Sequence, residues 1–516
     1  MKKSLLALFL ACTCILNAGA KKFKIASVDY ELQSTKQYPL ELAVEISKTR
    51  VFNSFEEFND YIADVQQQLE NQRVFSSAQV MTRFIEEGSD EELQLVHINV
   101  CAIDSKHFIA IPYPKYDSNS GVSAKLKVKD ANFLGTMQPL SFDASYLSDM
   151  DEDTEDEQEK GIVFNFSYDY PFKLFVLDSQ WNNDYMLAYT FGESRPEFSF
   201  KTGFTFKLPF ETFALQLKVS QAITRDFDYT EYDDELYNTS QAELSMPVKI
   251  MTINKWGHVF WTPFALTTVN YDKNGINPEN PDLTSPVLEV GHRLSTERIN
   301  WQGSFRNGLS ATVSQSVAYD YQLDEYSLKL SADLAAYKAF KYAGIASRFC
   351  SFAFFNDTAK IGHYLRGIRD SQKIEGSKKK ALKVSGAMIF NFDVPIHIFT
   401  TNWSYISGAI FGEDSWITRH VGLFDFEMQV SPFFDTALTT NTVTKKQFAI
   451  KDGWYAGGLE VLIYPQKWRS LVVRASAGVD LGKKLIKKKC PEYYDDSWRR
   501  KDISEYEIYI GIGLHY

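Results

Sequence analysis

Two hydrophobic periods divide the chain. From Lys24 to about Asp104 the pattern is mixed. Ile25, Ser27 and Asp29 alternate against Ala26, Val28 and Tyr30 as a short strand does, and Pro39 then opens a stretch suited to a first helix through Ile46. Ser54-Phe55-Glu56-Glu57 is a capping box, in which the serine hydroxyl accepts the amide hydrogen three residues on while Glu57 reaches back. Behind it Phe58, Ile62, Val65 and Leu69 lay one apolar stripe along a second helix, with Gln66, Gln67 and Glu70 turned to water. Two strand-like runs, 78–85 and 93–103, flank a polar turn through Gly88 and Asp90, so the order reads β-α-α-β-β. Beyond this unit no helical period of useful length is expected.

From His107 to Tyr516 the period is two. Phe198, Phe200, Phe204, Phe206 and Leu208 share one face while Ser199, Lys201, Thr205 and Lys207 share the other. Phe424, Phe426, Met428 and Val430 alternate in the same way with Asp425, Glu427 and Gln429, as do Leu471, Val473 and Ala475 with Val472, Arg474 and Ser476. About sixteen to eighteen such segments follow one another between polar turns. The last carries the most specific local signal: Tyr506, Ile508, Ile510, Ile512, Leu514 and Tyr516 alternate with Glu505, Glu507, Tyr509, Gly511, Gly513 and His515. Six apolar positions on one face suit lipid better than water. The acidic run 149–157 reads as a solvated loop, because its carboxylates are too continuous for a calcium loop and lack the turn glycine.

Composition then narrows how such strands are used. Of 516 residues 44% are apolar and 15% aromatic, with 39 Phe and 28 Tyr against 9 Trp. After the leader no apolar run is long enough to cross a bilayer as a helix, so a chain this rich in aromatics can span a membrane only as a closed β-barrel. The net charge of −11 and the absence of a basic arm exclude nucleic acid as the main partner, and Lys487, Lys488 and Lys489 read as a solvated loop. Residues 1–20 have the form of a secretory signal: Lys2 and Lys3, an apolar core from Leu5 to Leu16, and Ala18-Gly19-Ala20 before Lys21. Cys12 as an acylation site is the weaker reading of that segment. Outside it Cys101, Cys350 and Cys490 are too widely spaced for a metal cluster or a disulfide framework, and no metal or cofactor is expected. Neither a His-Glu-x-x-His helix nor a Gly-x-Ser-x-Gly elbow occurs. His292, His363 and His397 remain the candidates for a dyad assembled in space, and the expectation is a protein that is not an enzyme.

At this point the residues resemble a known family, the outer-membrane assembly and secretion proteins of the BamA/TamA-like superfamily, in which periplasmic POTRA domains precede a barrel. Leu69 to Phe75 is similar to the family's POTRA helix-to-strand junction, Ile111-Pro112-Tyr113 and Asp117 to Gly121 resemble its first barrel strand and outer loop, and Asn132 with Gly135 its recurring barrel turn. Most diagnostic is Tyr364-Leu365-Arg366-Gly367-Ile368, which resembles the Val-Arg-Gly-Phe/Tyr tip of the family's long sixth outer loop, with Ile368 in the aromatic's place. Asn391-Phe392-Asp393-Val394-Pro395 and Phe433-Phe434-Asp435-Thr436-Ala437 resemble the next two strand motifs, with Ala437 where the family usually has glycine.

The resemblance implies a signal peptide over 1–20, one POTRA-like domain over 21–105 and a barrel over 106–516, of sixteen strands by the family's default. A loop around 355–382 would fold into the lumen, where its arginine meets acidic residues of later strands. Strand parity supports that carry-over, because Asp435 shares the odd-numbered face of Asp425 and Glu427, and Asp393 is lumen-facing by the same alternation. Arg366 pairing with Asp435 is the leading contact, with Asp393 and Glu427 as further acidic partners. The implied function is insertion or translocation of β-rich client proteins at the bacterial outer membrane, by β-augmentation on the POTRA unit and through a seam between the first and last strands. Gly511 and Gly513 weaken that last strand locally. Partners would then be unfolded outer-membrane or secreted clients, lipids, and periplasmic chaperones or accessory lipoproteins, and a single POTRA-like unit leans toward a specialised member. A passive channel or surface barrel is the alternative from another class.

Overall fold

The computed structural model describes residues 21–86, 92–117, 121–147, 160–227, 235–253, 257–276, 283–367, 371–373, 379–381, 383–440, 447–482 and 506–516. The leader, the acidic run 149–157, Ile368, Lys487 to Lys489 and Cys490 lie outside them. The described chain divides into two compact units: one holds the residues up to His107 with Leu134–Met137, the other the remainder from Phe108.

In the first unit the sheet order is β2-β1-β4-β3, built from β1 (Lys22–Leu32), β2 (Val51–Phe52), β3 (Phe75–Ile85) and β4 (Leu93–Asp104). Helices α1 (Gln37–Ala43) and α2 (Phe55–Asn71) complete it. The short β2 is an addition to the expected order, and α1 ends at Ala43 rather than Ile46. Strict alternation also fails in β1: its register against β4 shifts between Ile25 and Ser27, so burial passes from Phe23 and Ile25 to Val28. Phe58, Val65 and Leu69 of α2 are buried against Phe52, Val96 and Ile98, each such side chain worth about 1.5–3 kcal/mol. Gly135, expected with Asn132 in a barrel turn, lies in the stretch Leu134–Met137 that clusters with this unit: Lys36 N–H donates to Gly135 O at 2.8 Å. Gly135 stands at φ +71°, and a Cβ there would lie 2.2 Å from Ser34 O, so only glycine fits. Asn132 is buried.

At the start of α2 the Ser54 Oγ accepts from Glu57 N–H at 3.1 Å, while Glu57 accepts from Asn53 N–H and from Arg50, both at 2.9 Å. The box therefore closes one residue earlier than the usual pattern. The Asn53 N–H, then Arg50, hold the Glu57 carboxyl below the usual carboxylate range. A lowered carboxyl favours the fold above its unfolded-state pKa, and that support is lost as pH falls through its folded-state value. Ser54→Ala is expected to cost the helix start about 1 kcal/mol. Hydrogen exchange of α2 in the full chain should then quicken roughly fivefold.

Among the described residues from Phe108 onward, twenty strands form one closed barrel, antiparallel throughout, and two short hairpin pairings lie outside it. Leu236–Ser245 and Val248–Ile253 both pair with Gly257–Tyr271, and Gly386–Asp393 and Ile396–Thr400 both pair with Phe426–Thr439. Each duo is one wall strand interrupted near a proline, Pro247 or Pro395, which cannot donate to the ladder. Counted by wall strands, the described barrel thus has eighteen, not sixteen. Turns alternate between two ends. Short ones such as 175–176, 210–213 and 340–343 occupy one end, and the long connections, including 356–385, the other. The expectation that no helix follows the first unit fails as well: α3 (Trp403–Phe411) and α4 (Trp416–Val421) fill the connection at the short-turn end between Ile396–Thr400 and Phe426–Thr439.

Candidate functional site

The connection after the strand Gly344–Phe355 begins with a two-residue pairing of Ala359–Lys360 with Lys383–Val384, then a tight turn, Gly362–Tyr364. Ile361 and Leu365 are fully buried among Phe352, Ile389, Ala437 and Trp454, side chains that face the barrel interior. This apolar contact seats the loop inside the wall, and it delivers the next residue, Arg366, to the acidic face of the following strands.

Arg366 is 6% exposed, and every part of its guanidinium is engaged. Its Nε donates to Asp435 Oδ2 at 2.9 Å and Nη2 to Asp435 Oδ1 at 2.8 Å, a parallel fork. Its Nη1 and Nη2 donate to Asp393 at 2.7 and 3.1 Å. The backbone N–H of Arg366 also donates to Asp435, at 2.9 Å. Asn391, paired across the ladder with Asp435, donates to Asp435 Oδ1 at 2.8 Å and to Tyr364 O at 2.7 Å, fixing carboxylate and loop together. The Phe433 ring lies 4.0 Å from the guanidinium carbon. This strand aromatic gives the cation a face to stack on, independently of Ile368. One planar cation satisfying two carboxylates in a largely dry interior is the arrangement in which charge-assisted hydrogen bonds are strongest.

Gly367 completes the tip. At φ +98° it runs so close to the strand Val473–Asp480 that a Cβ would stand 2.6 Å from the backbone of Gly478 and Val479. Its N–H donates to Glu507 of the last strand at 2.7 Å.

Several site expectations are relocated. Glu427 is lumenal but does not meet Arg366; it accepts from Ser304 Oγ and Gln429 Nε2, both at 2.8 Å. The third acidic group is Glu460, 3.5 Å from Arg366 Nη1 and 3.7 Å from Arg474. It was legible in principle, as the one acidic residue on the inward, even-numbered face of Trp454–Pro465. Asp425 ends a turn ahead of its strand, where it accepts from Ser404 Oγ at 2.6 Å, so it does not share the lumen face.

The largest correction concerns the end of the chain. Tyr506, Ile508 and Ile510 are exposed on the outer face as expected, but the strand closes at Ile512 and Gly513 takes φ +100°. Parity is lost there. Leu514 packs beside Leu462 and Tyr464, and Tyr516 turns inward, its hydroxyl donating to Asp393 and lying 3.1 Å from Ala346 O. Tyr516 is thus part of the arginine cluster and not of a lipid-facing seal.

Of the histidines, His292 lies on the exposed wall, His363 in the loop turn, and His397 within 2.9 Å of Thr400 Oγ1. Among the described residues no group of three or more His, Cys, Asp or Glu is placed to hold a metal ion, and Cys101 and Cys350 are free thiols.

No family model matches the chain, and no curated protein sequence matches it. Among solved structures it is similar to BamA from Haemophilus ducreyi lacking POTRA domains 1-3, at 12% identity over 94% of this chain and 84% of that one, with a TM-score of 0.37. It is also similar to CdiB from Acinetobacter baumannii, at 10% identity, 96% and 74% coverage and a TM-score of 0.48. CdiB from Escherichia coli gives 7% identity, 96% and 76% coverage and the same TM-score of 0.48.

Leaving a buried ion partnerless costs about 3–5 kcal/mol. Asp435→Asn and Arg366→Lys are each expected to lower barrel stability on that scale, since lysine cannot reproduce the fork. Loss of the heat-resistant folded band at lower temperature is the readout, and unchanged heat resistance in both variants would remove the cluster from its stabilising role. Gly367→Ala should also lower it, through the clash at Gly478.

Proposed function

We propose that this chain is a BamA/TamA-like barrel of the bacterial outer membrane that inserts or translocates β-rich client proteins, without catalysing a covalent reaction. The observation that carries the reading is a lumen-held arginine loop bonded directly to a weak seam. The last strand, Tyr506–Ile512, meets the first, Phe108–Asp117, at one registered pair among the described residues, Tyr509 opposite Asp117. Neighbouring strands elsewhere pair along most of their length, as Val287–Gln302 and Phe305–Asp320 do. Pro112 and Pro114 lie in the first strand, and prolines of this kind belong to sheet edges. An edge that opens at low cost is what a client strand needs, because unpaired amide and carbonyl groups are expensive in hydrocarbon.

The first unit supplies the matching periplasmic feature. Its strand β3 is the longer of the two outer strands of the sheet and, among the described residues, pairs on one side only, with β4. β-Augmentation there would hand an extended client to the seam. Outer-membrane lipids, and periplasmic chaperones or accessory lipoproteins, are the remaining partners in this reading.

Two measurements test it. A disulfide between Asp117→Cys and Tyr509→Cys, in a background lacking the native thiols, is expected to abolish client export under oxidising conditions and to restore it on reduction. Proteomics of outer membranes and culture medium after depletion should show loss of exported or inserted proteins. A broad fall points to general assembly and loss of one or two proteins to dedicated secretion, whereas an unchanged profile together with an innocuous disulfide would sink the reading in favour of a passive channel.

A further inference from the structure

We propose that the helical connection α3–α4 is a lipid-immersed anchor, seated in the bilayer interface at the short-turn end of the barrel. Its polarity is inverted. The residues buried in the two helices are Ser407 and Thr418, whereas Tyr405, Ile410, Phe411 and Trp416 point outward, Tyr405 at 74% and Trp416 at 70% exposure. A helical pair built for water places its apolar residues between the helices. Here the contact is made of small residues: a Cβ on Gly422 would stand 2.9 Å from Ser404 Cβ, and one on Gly408 would lie 3.7 Å from Thr418 Cγ2. Close approach through small residues, with hydroxyls bonded internally, is how helices pack when the solvent is hydrocarbon.

The polar groups are settled within the segment. Ser407 Oγ donates to Trp403 O at 2.6 Å and Thr418 Oγ1 to Gly412 O at 2.8 Å. Both helix starts are capped: Asn402 Oδ1 accepts from Tyr405 N–H at 3.3 Å, and Ser415 Oγ accepts from Ile417 N–H at 3.1 Å. Asp425 accepts from the Trp403 and Ser404 backbone N–H groups. Little backbone polarity is thus left for the surroundings to satisfy.

Continuity identifies lipid as the occupant. The strand that leads into α3 exposes Ile396, Ile398 and Phe399, and the adjacent short turn exposes Phe340 and Tyr342. His397 N–H, donating to Tyr342 O at 2.9 Å, ties that turn to the strand. Along the chain the exposed apolar side chains of this strand are followed by those of the helices, Trp403, Tyr405, Ile406, Ile410, Phe411 and Trp416, with Arg419 and His420 exposed toward the end of α4, and tryptophan at the start of each helix suits the depth at which headgroups meet acyl chains and basic side chains reach water. Glu413 and Asp414 are gathered in the turn between the helices, where water is within reach.

The inference rests on the membrane-barrel reading, and the test separates the two. The full chain, with Cys101, Cys350 and Cys490 replaced by serine, is reconstituted in phosphatidylethanolamine–phosphatidylglycerol vesicles. It carries a nitroxide at Ile410→Cys, at Phe204→Cys on the barrel wall, or at Glu193→Cys in a long-end loop. Collision with oxygen over an aqueous nickel chelate is expected to be as high at 410 as at 204, and low at 193. A lipid-exposed 204 with a water-exposed 410 would overturn the anchor and leave the barrel standing, and water exposure at both would overturn the barrel. Protection of 410 from both collision partners would mean cover by protein, which also overturns the anchor. Should the serine background not assemble, quenching of native tryptophan by brominated lipid serves instead: Trp416→Phe is expected to reduce the quenched fraction, and no reduction overturns the anchor.

Discussion

Burial of one guanidinium organises this barrel. Removing Arg366 from water is costly, and the cost is offset only because Asp435 and Asp393 approach from two strands in a fixed plane, with Asn391 orienting one carboxylate and Phe433 covering a face of the cation. A cluster of this kind adds little net stability over a well-packed apolar core, yet it is intolerant of misplacement, because any member left alone is an uncompensated buried charge. Its contribution is therefore positional. It holds a long connection at one place in the lumen, against the paired strands that carry Asp393 and Asp435.

Much of this was legible beforehand, for identifiable physical reasons. Side chains on a strand alternate strictly, so the odd-numbered positions of Asp393 and Asp435 placed both carboxylates on one face once the strands were recognised, and the Arg-Gly pair at 366–367 resembled a loop tip that needs such partners. Parity reasoning holds only while the backbone stays regular. It failed in β1, where a register shift moves the buried face from Ile25 to Val28, and after Ile512, where Gly513 turns the chain inward. It failed for Glu427 in another way: the face was right, but parity says nothing about distance along the strand, and Glu460 on the neighbouring strand was nearer.

The helices α3 and α4 escaped notice for a different reason. A search for amphipathic helices looks for an apolar stripe facing a protein core. In Trp403–Phe411 the apolar residues lie outside and the small ones inside, so the segment offers no such stripe. The same inversion that hid it in the sequence is what gives it meaning in the fold. Sequence pattern reports the contrast between two environments without saying which is water.

The inward turn at Gly513 carries a consequence of its own. Through it Tyr516 bonds Asp393, while Glu507 of the closing strand bonds Gly367, so the end of the chain holds both the loop tip and an acidic partner of its arginine. The two elements are thereby thermodynamically linked. Whatever free energy the seated loop contributes to keeping the closing strand in place, the strand returns to the loop in equal measure. Displacing either one weakens the hold on the other by the same free energy, so the chain end and the loop tip stand or fall as a pair.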